Sequence, residues 1–454
     1  MKKLLLGSTA LAVGGLVAAP AMAADPIKMG VGGYYQFYAL AGGMEGNYAL
    51  NGTSVQYKGL QFIQEGEIHF IGQSKLDNGT TIGLRVELEG WNPSAGSGGA
   101  VHTIDEAYLF AFGDWGRVEM GAKDDAPYVM YYGAPSALLG FGFVQHNTSF
   151  SWTNPIANAN NLAAFHISAS TIDAQYQDVN RINYYTPRFM GLQIGVSYTP
   201  KINLAQGAQW GLSTGPGTAS GGICGFNDAT TANGCPTNDN SWQDGIAIGA
   251  NYLNKFGEVS VAVYGAYSYM NFVPSLNQVQ SAANWINGAN LTSWKQAVVG
   301  LQFSFMGFTV GGSFGWDNNG LGQNGYTGVD NDTRTWAAGI MYETGPWQLS
   351  VAGVIATNDN GNGIGSLSTC TQGTTSACSI VQASTPTNYF GTNQNLGAAA
   401  FGTVQATKIE VGANYALGPG IKLTGGAIFN NLSGPSNAVA AQSWAALLGM
   451  DFRF

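Results

Sequence analysis

Apolar and polar residues alternate one by one along most of this chain, with short interruptions. Ile409, Val411, Ala413 and Tyr415 share one parity, and Lys408, Glu410, Gly412 and Asn414 the other. Leu192, Ile194, Val196 and Tyr198 stand against Gln193, Gly195 and Ser197 in the same way, and Ile82, Leu84, Val86 and Leu88 against Arg85, Glu87 and Glu89. A period of two is the mark of a β-strand with unlike faces, because successive side chains point to opposite sides. Four segments beginning "IGANYLNKFGEV", "VGLQFSFMGFTV", "AGIMYETGPWQL" and "VGANYALGPGIK" repeat one unit: Gly, two residues, an aromatic, a tight turn and a second alternating run.

Gly, Asn, Asp and Pro place seven short turns near Asn78, Asp114, Phe189, Lys255, Met306, Gly345 and Gly418. Eight longer connections lie between them, the largest being about 124–178, 200–243 and 358–402. Seven and eight connections join sixteen strands, and short and long connections alternate strictly. The expected fold is all-β: a sixteen-stranded antiparallel transmembrane barrel, short turns on the periplasmic rim, long loops outside. A secreted sandwich or solenoid would alternate too, but would show water a polar face rich in charge.

Composition favours the barrel. Charged residues make up 9% of the chain, where soluble globular chains carry roughly 25%. Aromatics reach 12%, and the polar face is built from Asn, Gln, Ser and Thr. In the final stretch "SWAALLGMDFRF", Trp444, Ala446, Leu448, Met450, Phe452 and Phe454 share a face, opposite Asp451 and Arg453. Ten steps of ~3.3 Å, tilted by ~40°, span about 25 Å, the height of an outer-membrane apolar band. At the other end, Lys2 and Lys3, an apolar run and the small triplet Ala21, Met22, Ala23 read as a signal peptide over residues 1–23. That leaves a single barrel domain, 24–454. No later run is long and apolar enough for a spanning helix.

The segments "MGVGGYYQFYALAGG", "RINYYTPRFMGLQIGVSYTP" and "GDWGRVEMGAKDDAP", with the terminal Phe454, resemble the general trimeric porins of Gram-negative bacteria, especially their alphaproteobacterial branch. The resemblance implies a passive channel in the outer membrane, a homotrimer in contact with lipid and lipopolysaccharide. It also implies that Phe454 serves recognition by the outer-membrane assembly machinery, and that the third external loop, about 124–178, folds inward as a constriction. By motif, Lys28 and Arg181 match the family's basic wall, and Arg85 falls nearby. Glu67, with His69 beside it, stands where a base is usual. The third loop opens with Asp124 and Asp125, then carries no charge from Ala126 through Ile172, so its apolar side is expected to pack on the wall.

Other chemistry is thin. Cys224, Cys235, Cys370 and Cys378 fall as two close pairs in long loops; disulfides within each pair suit an exported protein, although three connectivities are open. A metal site there would have no nearby His. Of the four His residues (69, 102, 146, 166), only His69, near Glu65 and Glu67, resembles a poised base, and no nucleophile motif accompanies it. "VDNDTRT" and "NDNGNG" lack the closing Glu of a calcium loop. A sugar-specific channel would need a track of lumen aromatics, for which Tyr34, Tyr38, Trp91 and Tyr185 are candidates.

No cofactor, nucleic acid or enzymatic activity is expected; small hydrophilic solutes and ions are. On the lumen parity eight bases (Lys28, Arg85, Arg117, Lys123, Arg181, Lys408, Lys422, Arg453) nearly balance nine acids (Glu65, Glu67, Glu87, Glu89, Glu119, Asp317, Glu343, Glu410, Asp451). The external loops, by contrast, hold ten acids against Lys58 and Lys201. Acids at the mouth would raise the local cation concentration. The pore-lining set is expected to be Lys28, Glu67, His69, Arg85, Glu87, Glu89, Arg181, Asp124 and Asp125, with weak cation preference.

Overall fold

The structure, a computed structural model, describes residues 25–48, 53–90, 104–138, 179–201, 241–273, 285–286, 289–318, 321–324, 332–358, 403–433 and 439–454. The strands in chain order are β1 (Lys28–Tyr48), β2 (Thr53–Lys75), β3 (Thr81–Glu89), β4 (Ile104–Gly113), β5 (Gly116–Ala122), β6 (Asn180–Tyr185), β7 (Leu192–Lys201), β8 (Ser241–Phe256), β9 (Val259–Val273) and β10 (Trp285–Ile286). They continue with β11 (Ala289–Leu291), β12 (Trp294–Phe305), β13 (Phe308–Asp317), β14 (Leu321–Asn324), β15 (Thr333–Thr344), β16 (Trp347–Asn358), β17 (Val404–Gly418), β18 (Ile421–Ser433) and β19 (Val439–Arg453). Sixteen of these close into one antiparallel barrel in which each strand pairs with its neighbours along the chain and β19 returns to β1. The short strands β10, β11 and β14 form a separate three-stranded sheet.

All seven short turns fall where the sequence puts them. Between β12 and β13 the turn is only Met306 and Gly307, with φ of 50° and 81°. Two consecutive positive φ values make the mirror-image turn whose twist matches the flanking strands. Two of the eight expected long connections are short. β1 and β2 are separated by residues 49–52 alone, and β18 and β19 by 434–438. The strands of the first hairpin simply run on, 21 and 23 residues long, beyond what a bilayer requires. Glu45, Lys58 and Lys201 therefore lie within β1, β2 and β7, and not in loops.

The outer face carries the apolar parity. Leu192, Ile194, Val196 and Tyr198 are exposed on it, as are Ile409 and Val411, and Trp444, Leu448, Met450, Phe452 and Phe454. Aromatics gather at two levels. Phe112, Trp115, Phe256, Phe305, Phe308 and Trp347 flank the short turns, while Tyr198, Tyr267, Trp336, Phe429 and Trp444 lie toward the opposite rim. This is the double girdle of a lipid-embedded barrel. Among the described residues, no helix is long and apolar enough to cross a membrane.

Buried residues lie inside the barrel and not between packed sheets. Tyr38, Leu40, Val354, Ile428, Ala445 and Leu447 cluster with Ala134 and Leu138, and Tyr185, Tyr264 and Val298 with Ala126 and Met130. In both clusters the partners come from the segment after β5, so the core of this protein is a loop pressed on the inner wall.

Candidate functional site

The loop begins at Lys123, which leaves β5 with its Nζ 2.7 and 2.8 Å from the two oxygens of Glu106 and its charge over the Tyr108 ring, 5.3 Å from the centroid. Burial pulls the Lys123 pKa down, but the Glu106 and Asp124 carboxylates outweigh it and the net shift is upward. The amide of Asp124 donates to Glu106, and its carbonyl accepts from Asn183 Nδ2 at 2.8 Å. Asp125 caps a one-turn helix, Ala126–Val129, by accepting from the Tyr128 amide at 2.9 Å. Pro127 sits in the first turn, where its missing N–H is no loss.

From there the chain crosses the inner wall strand by strand. Ser197 of β7 accepts from the Ala126 amide at 2.7 Å, Asn251 of β8 donates to the Met130 carbonyl at 3.1 Å, and Tyr264 of β9 donates to the Pro127 carbonyl at 2.7 Å. Gln302 of β12 donates to the Gly133 carbonyl at 2.7 Å, and Ser313 of β13 meets the Tyr131 hydroxyl at 2.6 Å. Ser350 of β16 accepts from the Ala137 amide at 2.8 Å and Asn414 of β17 donates to the Ala137 carbonyl at 2.6 Å. Ser136 bonds Glu410 of β17, a carboxylate that is 0% exposed beside Lys408. Each neutral bond contributes about 0.5–1.5 kcal/mol. Eight attachments spread over seven strands hold the loop far more firmly than any one of them.

The β2–β4 wall lies outside this track, and it is acidic. Glu65, Glu67 and His69 project inward from β2, and Arg85, Glu87 and Glu89 from β3. Two further carboxylates join them that a period of two does not place together. The β3–β4 register shifts between Val86 and Leu88, which pair with Ala107 and Ile104. One extra residue in β4 makes a β-bulge that lets neighbouring side chains turn to the same side. Asp105 and Glu106 both face inward as a result: Asp105 approaches Glu67 and Glu89, with oxygens of all three within 4.8 Å of one another, and Glu106 reaches Lys123. The only available sign in the sequence is the pair of adjacent acids in "TIDEAYLF". Six carboxylates (Glu65, Glu67, Glu87, Glu89, Asp105, Glu106) thus face two fixed cations, Arg85 and Lys123, a formal excess of four negative charges.

A hydrogen-bond chain selects the tautomer of His69. Arg85 Nη2 lies 2.9 Å from His69 Nδ1, His69 Nε2 lies 2.7 Å from Glu67 Oε2, and the Tyr34 hydroxyl donates to Glu67 Oε1 at 2.9 Å. A guanidinium can only donate. Nδ1 is therefore the acceptor, and Nε2 carries the proton it gives to Glu67. Glu67, His69 and Glu87 also bring ligand-capable atoms within 4.8 Å of one another, but a metal at Nε2 would have to displace that proton. Among the described residues, the contacts of His69 are carboxylates, Arg85 and the Tyr34 ring. No serine, threonine or cysteine is among them.

The remaining candidates scatter. Lys28 is at the turn rim, its side chain 76% exposed and 3.7 Å from Asp25. Arg181 is buried, 3.9 Å from Asp125. Tyr34 lies by the acidic patch, Tyr38 under the distal end of the loop and Tyr185 under its root, so these three form no continuous track. Phe454 exchanges backbone hydrogen bonds with Gly33 of β1 at 3.0 and 3.1 Å. Residues 1–23, Trp91, the three other His, all four Cys and residues 139–178 of the loop lie outside the described residues.

Comparison with known proteins agrees with this architecture. Uncharacterized proteins of Rickettsia felis and Rickettsia typhi are each 22% identical to the chain, over 266 and 269 residues, 54% of this chain and 61% of the relative in both cases. The match spans about three-fifths of those relatives' length. An anion-selective porin from Comamonas acidovorans aligns over 94% of this chain and 100% of its own with a TM-score of 0.51 and 14% identity, a likeness of fold. A family model described as Gram-negative porin matches residues 7–433. The chain belongs to the Gram-negative porin family and is an outer-membrane β-barrel protein.

Proposed function

We propose that the protein is a passive diffusion channel for small hydrophilic solutes and ions, weakly cation-preferring, with the loop after β5 as its constriction. The observation that carries this reading is the division of the inner wall. A nearly charge-free loop packs on the wall from β6 round to β19 and β1, while β2–β4 present a formal excess of carboxylates. Each cation near that patch is tied down: Arg85 to Glu87 and His69, Lys123 to Glu106. The surplus carboxylates attract cations into an aqueous path bounded by low-dielectric protein, where such fields are focused. The test is the reversal potential of the purified protein in planar bilayers across a potassium chloride gradient. A cation preference of about two- to fivefold is expected at 0.1 M salt, fading as the Debye length shortens. Anion preference at low salt would overturn it.

The working unit in this reading is a homotrimer in contact with lipid and lipopolysaccharide. A polar pair supports it: on the outer face Tyr35 donates to Gln64 at 2.7 Å, flanked by the stacked rings of Phe37 and Phe62. Such a pair on an apolar belt suits contact with another protein surface better than contact with lipid tails. Cross-linking is expected to capture three copies, and Gln64→Leu to leave the monomer folded.

Phe454 is read as an assembly determinant, supported by its place at the β1–β19 junction. Deleting it should lower the amount of folded barrel in the outer membrane of growing cells several-fold. Unchanged assembly kinetics would remove the role.

A further inference from the structure

We propose that a set of inward-facing glycines on six strands of the wall is the seat that sets how deep the loop lies against it, and so the aperture of the channel. Gly195 (β7), Gly249 (β8), Gly300 (β12), Gly311 (β13), Gly339 (β15) and Gly412 (β17) carry it. This rests on the loop being the constriction, and it assigns the wall residues that position the loop.

A Cβ at each would meet the loop. At Gly300 it would overlap the Tyr132 carbonyl oxygen; at Gly339 it would stand 2.6 Å from the Pro135 oxygen and at Gly311 2.7 Å from the Gly133 oxygen. At Gly249 it would lie 3.0 Å from Pro127 Cα, and at Gly195 2.5 Å from the flexible Met130 Sδ and 2.8 Å from the Ala126 Cβ. The Gly412 position is filled by Leu138. Most of these partners are backbone atoms or an atom fixed to the backbone, which cannot rotate out of the way as a flexible side chain can.

Glycine weakens a strand interior, and its usual justification there is close approach of another backbone. Two of its glycine pairs are also directly in register. Gly195 pairs across with Gly249, and Gly311 with Gly339, which pairs in turn with Ala352. Not every strand glycine is of this kind. Gly265 of β9, next to inward Tyr264, has nothing within 4 Å of its Cβ direction.

The hydrogen-bonded wall is closed on itself, whereas the loop is held by side chains. An added methyl group will therefore displace the loop toward the pore axis and leave the wall in place. The experiment is single-channel conductance and polymer exclusion for Gly300→Ala and Gly339→Ala in the full chain, with Gly265→Ala as control and heat-modifiable gel mobility to score folding. Conductance should fall about 1.5-fold and the excluded polymer size should shrink, because a close-packed contact cannot absorb an extra methyl group. Gly265→Ala should behave as wild type.

A merely structural role would lower the yield of folded barrel and leave the conductance of each channel unchanged. If Gly300→Ala does not fold, Gly249→Ala replaces it. Folded variants with wild-type conductance and exclusion would overturn the proposal. Deleting residues 134–160 separates the two levels. Raised conductance on deletion with silent glycine variants would sink the seat but keep the constriction, and no change on deletion would sink both.

Discussion

Deleting residues 134–160 is expected to raise single-channel conductance roughly twofold or more, since pore size is governed by the narrowest lining, and to let larger sugars enter liposomes. The expectation follows from what the segment covers. Ala134 and Leu138 are buried against Tyr38, Val354, Ile428 and Leu447 on the inner wall, and Ser136 and Ala137 are bonded to β16 and β17. Removing them frees the volume those residues occupy inside the barrel. The freed partners, Ser350, Asn414 and Glu410, become accessible to water and can be hydrated, so the barrel should survive. An equal conductance and an equal sugar limit would mean that this stretch does not narrow the pore.

The second large effect concerns charge. The triple variant Glu67→Gln, Glu89→Gln, Asp105→Asn leaves the bonded frame nearly isosteric but removes three of the six carboxylates on β2–β4. The formal surplus on this wall falls from four to one. The potassium-to-chloride permeability ratio should drop at least about twofold at 0.1 M salt, where screening acts over about 10 Å, with little change at 1 M. Conductance itself should change less than the ratio, because the side chains keep their size. If the ratio stayed put, charges elsewhere, such as those of the external loops, would govern permeation.

The residues alone lead part of the way to these two expectations. The barrel is readable because its cause is local: period-two alternation, turn residues and the aromatic levels all follow from strand geometry in lipid. The acidic patch was readable only in part. Parity puts Glu65, Glu67, Glu87 and Glu89 on one face, but it assigns only one of Asp105 and Glu106 to that face, since an unbroken strand separates adjacent side chains. The bulge that unites them is a register event between two strands. Likewise Tyr38 and Tyr185 have the right parity for the lumen yet are buried, because parity says nothing about what later covers a side chain. The wall glycines were visible as an abundance of glycine, and their meaning depends on a loop from far along the sheet.

The seam between β1 and β19 has a consequence for time as well as for shape. Fifteen residue pairs join there, from Tyr34 with Arg453 to Tyr48 with Val439, and the partners are about four hundred residues apart. In a chain whose intervening strands are not yet paired, bringing such distant ends together would cost roughly 5 kcal/mol of chain entropy beyond a constant, and sequential pairing lowers that cost. Until it happens, two strands keep a row of unpaired backbone groups that hydrocarbon cannot solvate. Most strand pairings are sequential and can form early, but this one is both the slowest to find and the condition for residing in lipid at all. Weakening it, as at Phe454, should therefore act on the rate of arrival in the membrane far more than on the lifetime of barrels already closed.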